Sequence, residues 1–322
     1  MLVPVLLFLL GFVLLIKGGD WFVDGATGIA HRFHLPELLI GATVVSIGTT
    51  LPEVMVSTQA AIQHNAGISY GNAIGSVICN TSLIAALTVA IRPGQVKRSS
   101  LMLPAAFFFI AAAIYAAIAY ASGNFARWQG VEFLVIFVIY MVVTVVHMKK
   151  HPDDAEQEED EAQKEKPIWL ELVLLAVSAA AIAVGANLLV NNGTLIAQAL
   201  GVPDSVIGLT MVALGTSLPE LITAITALIK GHSALSLGNV IGANLFNIVL
   251  VSGMAITISP FAIPAEKTVA GINSSLVIDL PVMFCVMLLL CVPALAREKL
   301  SRWQGVLLLA IYAAFTVYQF VA

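Results

Sequence analysis

The sequence predicts an all-α membrane protein of ten transmembrane helices, built as two inverted five-helix repeats with broken helices 2, 3, 7 and 8. Three observations predict it: an extreme apolar composition, a duplication that spans nearly the whole chain, and Lys and Arg crowded onto alternate loops. Of the 322 residues 59% are hydrophobic and 11% charged, with a mean hydropathy of +0.97. Soluble domains carry about 45–50% apolar and about 25% charged residues. The apolar runs are about 20 residues long, enough to cross a hydrocarbon core of roughly 30 Å as helices. The alternation of a β-barrel is absent. The net charge of −4 traces to one acidic stretch, so it points to no nucleic acid and no acidic substrate. Cys79, Cys285 and Cys291 lie in apolar runs without metal or redox spacing and read as small packing residues. The run from Leu2 to Ile16 resembles a signal-peptide core, but no basic residue precedes it and it maps onto an internal span. It reads as a retained helix.

The duplication supplies the element order. An offset of 167, the distance from Glu53 to Glu220, aligns a long stretch without gaps. Spans fall at about 2–30, 36–64, 69–91, 100–120 and 129–148 in the first half. In the second half they fall at about 168–192, 203–229, 235–258, 276–296 and 303–321. Asp20 and Asp24 of span 1 have counterparts Asn187 and Asn191 in span 6. With Lys17 one turn away, the two aspartates read as an interfacial ion pair. Spans 2 and 7 share Pro36 with Pro203, Gly41 with Gly208, Thr43 with Thr210, Gly48 with Gly215, and Pro52 with Pro219. Spans 3 and 8 share Gly71 with Gly238, Asn72 with Asn239, Gly75 with Gly242 and Asn80 with Asn247, and both are followed by proline, Pro93 and Pro260. Spans 5 and 10 each open near an Arg-Trp-Gln-Gly stretch, at 127–130 and 302–305, now offset by 175. Glu132 and Asp279 lie near span ends and read as interfacial.

Five spans per half is an odd number, so the halves sit upside down relative to each other, as in many secondary transporters. The domains are residues 1–150 for the first repeat, 151–167 for an acidic cytoplasmic linker, and 168–322 for the second repeat. Charge bias tests the layout independently. Arg32, Arg92, Lys97, Arg98, Lys149, Lys150, Lys164, Lys166, Lys230, Arg297, Lys299 and Arg302 fall on one side. Arg127 and Lys267 fall on the other, and Lys17 lies within span 1. This bias predicts a multi-pass protein of the plasma membrane with both termini outside. The linker lacks the glycine and ligand spacing of a calcium-binding loop and reads as solvated chain.

The chemistry concentrates where the spans carry helix breakers. Pro52 has no N–H, so the carbonyl of Gly48 loses its helical partner and that of Thr49 is displaced by the ring. A freed carbonyl in a membrane needs water, a polar cavity or a cation. Ser46, Thr49 and Glu53 form a stripe of oxygen atoms ending in a carboxylate, and Ser76 and Asn80 lie four apart in the next span. The second half offers Ala213, Thr216, Ser217, Glu220, Ala243 and Asn247. These are hard oxygen ligands without His or Cys, which suits Ca²⁺ or Na⁺ and not Zn²⁺ or Cu⁺. Two carboxylates neutralise one Ca²⁺. Packing explains symmetric intramembrane acids poorly, because they are costly. For Ser76, Asn80 and Asn247, hydrogen bonding between helices is the competing reading.

The stretches GTTLPE with GNAIGSVICN, and GTSLPE with GNVIGANLFN, resemble the paired α-repeats of the sodium/calcium exchanger family in the cation/Ca²⁺ exchanger superfamily. The resemblance covers both halves. It implies ten transmembrane helices, four central cation sites, and an antiporter of the compact prokaryotic type in which Ca²⁺ and Na⁺ compete for one acidic centre by alternating access. It places the Ca²⁺ site on Glu53 and Glu220 with the backbone oxygens of Thr49 and Thr216. Flanking Na⁺ sites fall on Ser46, Thr50 and Ser76, and on Ala213 and Ser217. Asn80 and Asn247 form the polar pair nearest the middle. The chain departs from the family pattern at Asn247, where some members have aspartate. It departs also at Ala243, where a serine is usual, and at Val77, where an asparagine is common.

The reading expects no enzyme and no cofactor, with Ca²⁺, Na⁺ and the lipid bilayer as the partners. The alternative is a proton-coupled Ca²⁺ exchanger, in which the two glutamates release protons as Ca²⁺ binds. Its relatives usually read G-N-x-x-E where this chain reads G-T-[ST]-L-P-E. An intramembrane enzyme using the two carboxylates as acid and base lacks an obvious water-activating partner here. A passive channel would tolerate the same ligands, but inverted repeats favour alternating access. The charge bias generates a direct test in a background without native cysteines. Gly67→Cys should react with an impermeant thiol reagent in intact cells and Glu158→Cys should not; the opposite labelling would reverse the orientation.

Overall fold

In hydrocarbon the backbone has no water to satisfy its N–H and C=O groups, so long apolar runs wind into helices. The structure is a computed structural model, and it describes residues 2–33, 35–150, 167–200, 216–265 and 268–321. Among these residues the helices form ten rods. They are α1 (Leu2–Arg32), α2 (Glu37–Ile62), α3 (Ala66–Ile91), α4 (Arg98–Ser122) and α5 (Arg127–Lys150), then α6 (Ile168–Ala199), α7 (Leu218–Ile229), α8 (Ser233–Ile258), α9 (Ser275–Arg297) and α10 (Arg302–Val321). Eight of them, α1 to α6 with α8 and α9, are long and apolar enough to cross a bilayer. Four two-residue strands lie in the connections. β1 (Asn124–Phe125) pairs antiparallel with β2 (Phe261–Ala262), and β3 (Thr268–Val269) with β4 (Ile272–Asn273). The acidic stretch 151–166 and the first part of the seventh span, with Gly208, Thr210, Ala213 and Gly215, lie outside the described residues.

Burial sorts the rods into a centre and a periphery. The most apolar windows of α3 and α8 are 72% and 78% buried, against 22% for α1 and α5. The centre is therefore α2, α3 and α8, the helices that carry the repeated Gly-Asn and Pro-Glu stretches. The α2–α8 contact depends on small residues. A Cβ added at Gly238 would run into the carbonyl oxygen of Leu38, and one at Gly242 into Ser46 Oγ. At the periphery α1 packs along α6, where a Cβ on Gly11 would come within 2.8 Å of the Gly185 carbonyl oxygen.

Departures from α geometry take a different form from the breaks the prolines predict. Pro52 lies inside an uninterrupted α-helical stretch, Ser46–Ile62. The irregularity of α2 is instead a π-helical segment upstream, Gly41–Val45. Further π segments occur at Asn80–Ala85 in α3, Asn247–Val251 in α8 and Ser275–Asp279 in α9. Side chains supply the reason these segments persist. Ser46 Oγ donates to the Gly41 carbonyl at 2.8 Å, Tyr140 Oη to the Ala42 carbonyl at 2.9 Å, and Ser252 Oγ to the Asn247 carbonyl at 3.0 Å. A widened turn disturbs the i to i−4 ladder, and these hydroxyls give its carbonyls partners that lipid lacks. For α7 the described helix starts at Leu218, after Thr216 and Ser217 in a turn, with Pro219 in its first turn.

Several contacts come in pairs related by the two sequence offsets. Ile263 N donates to the Gly123 carbonyl at 2.8 Å, and Val96 N to the Glu298 carbonyl at 2.9 Å. Both acceptors are left-handed caps, with φ of 66° at Gly123 and 49° at Glu298. Arg127 Nη2 donates to the Ile258 carbonyl and Arg302 Nη2 to that of Ile91, each at 3.3 Å. Gln129 Oε1 accepts from Ala126 N at 2.7 Å and Gln304 Oε1 from Ser301 N at 2.8 Å. The repeated Arg-Trp-Gln-Gly is thus a helix start, in which Gln caps its own helix and Arg ties it to the other half.

One expectation needs correcting. Asp20 and Asp24 do belong to an ion pair, but the cation is Lys230 of the other half, not Lys17. Its Nζ lies 2.7 Å from Asp24 Oδ1 and 3.8 Å from Asp20 Oδ1. The packing of α7 on α1 brings it there, which adjacency in sequence cannot show. The glycine face of α2 and α8 generates the prediction of this section. Gly238→Ala should cost about 1–3 kcal/mol by overpacking, read as a lower melting temperature of the detergent-purified protein. An unchanged melting temperature would contradict the close approach.

Candidate ion-binding site

The site is built from the three central helices and the start of α7. On α2, Ser46, Thr49, Thr50 and Glu53 are all buried, facing α7 and α8. Glu220 lies in the first turn of α7, where the positive end of the helix dipole favours a carboxylate. Asn80 and Asn247 each open a π segment and are fully buried. Ser76 is buried one turn before Asn80 on α3, Ser217 is buried and Thr216 is half-buried at the start of α7. Ala213 lies outside the described residues.

The two carboxylates are buried and lie within electrostatic reach of each other. Glu53 and Glu220 are both 0% exposed, and Glu53 feels the charge of Glu220. Glu220 in turn lies close to the hydroxyls of Thr49 and Thr50, without a hydrogen bond of ordinary geometry to either. Among the described residues neither carboxylate has a hydrogen-bond partner for its oxygens. The same holds for Thr50 Oγ1, Ser217 Oγ and both amide atoms of Asn80 and Asn247. Buried polar atoms are paired in more than about nine cases in ten. Such a concentration of unpartnered atoms among the described residues makes this the candidate site. Its donors are carboxylate, hydroxyl and amide oxygens, the set that hard cations take. Among the described residues no three His, Cys, Asp or Glu side chains converge; the acidic groups described here are the two carboxyls, set among neutral oxygens.

Three residues belong to this surrounding without having been singled out as site residues from the sequence. Asn239 on α8 accepts from Thr49 Oγ1 at 3.1 Å, and its backbone carbonyl accepts from Ser46 Oγ at 2.9 Å. Asn72 on α3 donates from Nδ2 to the Glu53 carbonyl at 3.1 Å and to Ser57 Oγ at 2.8 Å. Cys79 sits beside Ser217 and within electrostatic reach of both glutamates. The signal for the two asparagines was the repeated Gly-Asn pair, which reads from sequence as a landmark of duplication; Cys79 has no signal beyond its place next to Asn80. The Ser46 hydroxyl also donates to α8, at the Asn239 carbonyl, which leaves its oxygen lone pairs as acceptors.

The family model of the sodium/calcium exchanger protein matches residues 3–146 and 170–321 of this chain. The chain belongs to the sodium/calcium exchanger family. It is 38% identical to an uncharacterized membrane protein of Methanocaldococcus jannaschii, over 95% of this chain and 94% of that one. It is 33% identical to the sodium/calcium exchanger MaX1 of Methanosarcina acetivorans, over 98% of each. Among solved structures it is similar to the sodium-calcium exchanger NCX_Mj soaked with 10 mM Na⁺ and no Ca²⁺. There the TM-score is 0.81 and the identity 36%, over 97% of both chains. Like its relatives, this exchanger is a multi-pass membrane protein, and the oxygens that lack partners in it are the hard donors a small cation takes.

Proposed function

We propose that this chain is a secondary active antiporter that exchanges Ca²⁺ for Na⁺ across the plasma membrane by alternating access at a central site built on Glu53 and Glu220. One observation carries the reading: two carboxylates, one from each half, are fully buried near each other with no hydrogen-bond partner among the described residues. A lone buried carboxylate is unfavourable by several kcal/mol, and two together repel. A dication between them reverses both terms. Na⁺ ions carry the same charge in two or more parts, so Na⁺ can replace Ca²⁺ only with further oxygens. In this reading Ser46, Thr49, Thr50, Ser76, Thr216 and Ser217, with Ala213 from the repeat pattern, supply those oxygens, and Asn80 and Asn247 form the polar pair nearest the middle. Sodium exchange is also what the names of MaX1 and NCX_Mj attribute to those relatives.

The same reading takes residues 1–150 and 168–322 as inverted repeats of five spans, joined by a cytoplasmic linker at 151–167, with both termini outside. The offset-related contacts support it, because each half reaches into the other at equivalent positions. Exchange of roles between such halves opens one site to alternate sides.

Uptake of ⁴⁵Ca²⁺ into proteoliposomes tests the ion and its coupling. An outward Na⁺ gradient should drive uptake and a pH gradient alone should not; the reverse result would establish the proton-coupled exchanger instead. Glu53→Gln and Glu220→Gln should each abolish uptake with expression near normal, because one remaining carboxylate leaves a dication uncompensated by several kcal/mol. Wild-type flux in either variant would remove the site from these residues.

The departures from the family pattern give a second test. Ala243 is fully buried on α8 and has a methyl group where Ser76 has a hydroxyl. Ala243→Ser should lower the Na⁺ concentration for half-maximal exchange about fivefold, a regained oxygen contributing roughly 1 kcal/mol. Ser76→Ala should raise it, with Ca²⁺ affinity little changed in both. Na⁺ titrations that overlay the wild type in both variants would show that these positions do not serve Na⁺.

A further inference from the structure

The two seams that join the peripheral rods to the site helices are unlike, although the repeat makes them equivalent. Along α1 and α7 the packing is tight: a Cβ on Gly19 would come within 2.8 Å of Ile222 and 2.9 Å of Thr226. The offset of 167 carries Gly19, Ile222 and Thr226 onto Ala186 of α6 and Met55 and Gln59 of α2. Met55 is 71% exposed and Gln59 is exposed as well. So α2 leaves uncovered the positions that α7 packs against α1. In a carrier of inverted halves the opposite conformation exchanges the two seams.

The contact that fastens the present seam is charged, and its counterpart is not. Lys230 Nζ lies 2.7 Å from Asp24 Oδ1 and 3.8 Å from Asp20 Oδ1, and it donates to the Asp20 carbonyl at 2.9 Å. The equivalent positions are Gln63, Asn191 and Asn187, three neutral amides. Here all three are exposed, and Asn191 donates to Asn187. Other charges lie nearby: Lys17 one turn before Asp20, Arg92 at the Leu228 carbonyl, His232 with Glu37, and Glu171 of α6 against Gly28. Among the described residues none of them bonds Lys230, whose partners are Asp20 and Asp24.

The same inequality recurs inside the site and owes nothing to charge. Asn72 Nδ2 donates to the Glu53 carbonyl at 3.1 Å and to Ser57 Oγ at 2.8 Å. Its counterpart Asn239 has a buried Nδ2 without a partner among the described residues. Ser57 corresponds to Ala224, which is buried and has no hydroxyl to offer. Ser46, which donates to the Asn239 carbonyl at 2.9 Å, corresponds to Ala213. An exchange of roles would return Asn239 a bond to the Glu220 carbonyl, but it would replace neither hydroxyl.

We propose that these unequal pairs form a latch that holds the carrier preferentially in the conformation described here. Its opposite lacks one ion pair and two hydroxyl contacts, so the two conformations are unequally populated before any ion binds. The inference rests on the reading of the halves as inverted repeats that exchange roles. Separating Lys230 from the aspartates inside a spanning segment adds to the bias, because unpaired charges there are costly.

The test places Gln63→Cys and Asn191→Cys in the full chain without native cysteines, reconstituted in proteoliposomes. In the opposite conformation these positions take the places of Lys230 and Asp24, so the rate at which a short bifunctional thiol reagent joins them follows the population of that conformation. Lys230→Gln should raise the rate about fivefold, the upper end for a partly exposed ion pair. Ser57→Ala should raise it roughly fivefold, as for the loss of one hydrogen bond. Lys230→Arg keeps the charge and should cross-link at the parent rate. Equal rates in the parent, Lys230→Gln and Ser57→Ala would overturn the latch and leave the exchange of roles standing. No cross-link in the parent or in any variant would overturn both.

Discussion

Two glutamates held in the interior of a membrane protein without hydrogen-bond partners among the described residues are the constraint to which the surrounding structure answers. A carboxylate in water keeps its charge through solvation, and α2 and α7 remove that solvation from Glu53 and Glu220 together. Among the described residues that form the cradle, no positive side chain relieves the repulsion between them. Such an arrangement is stable only if the protein accepts the cost for most of its surface elsewhere, in the tight helix packing of the centre. The extensive apolar burial along α3 and α8 serves that purpose.

Packing that tight brings its own demand. Helices close enough for Gly238 to touch the backbone of α2 leave no room for ordinary side chains between them. The polar groups in the seam must then bond to each other. Ser46 and Thr49 of α2 do so with Asn239 of α8, and Tyr140 of α5 reaches the carbonyl of Ala42. The π segments belong to the same solution. Each shifts the register of a central helix where a polar residue enters it, and at Asn80 and Asn247 the first residue of the widened turn is itself an orphaned amide of the cradle.

How much of this was legible without coordinates varies with the kind of information. Helix positions followed from apolar length, and the eight helices long and apolar enough to cross a bilayer lie where the hydropathy places them. The convergence of Glu53 and Glu220 followed from the duplication, because two breaks at equal repeat positions imply one shared centre. The position of the irregularity in α2 did not follow. Proline is the visible breaker in a sequence, yet α2 passes Pro52 as α-helix and widens at Gly41–Val45, where the cause is a set of hydroxyl donors from other turns and another helix. The partner of Asp24 was hidden for a related reason. Lys17 is near in sequence, whereas Lys230 is brought near by the packing of α7 on α1.

Asn72 and Asn239 show the limit of reading a duplicated sequence as a duplicated structure. They occupy equal places in the repeat, so symmetry alone would assign them equal partners. Asn72 instead holds the carbonyl of Glu53 in its own half, while Asn239 takes hydroxyls from the opposite half. A carrier whose site opens to one side at a time needs its halves in unlike conformations at any instant. Identical residues must then have unequal neighbours in any single structure. The two asparagines are therefore evidence of which half holds the carboxylate backbone and which half holds the hydroxyls in this conformation. The sequence, in which the two asparagines are alike, has no means of recording that difference.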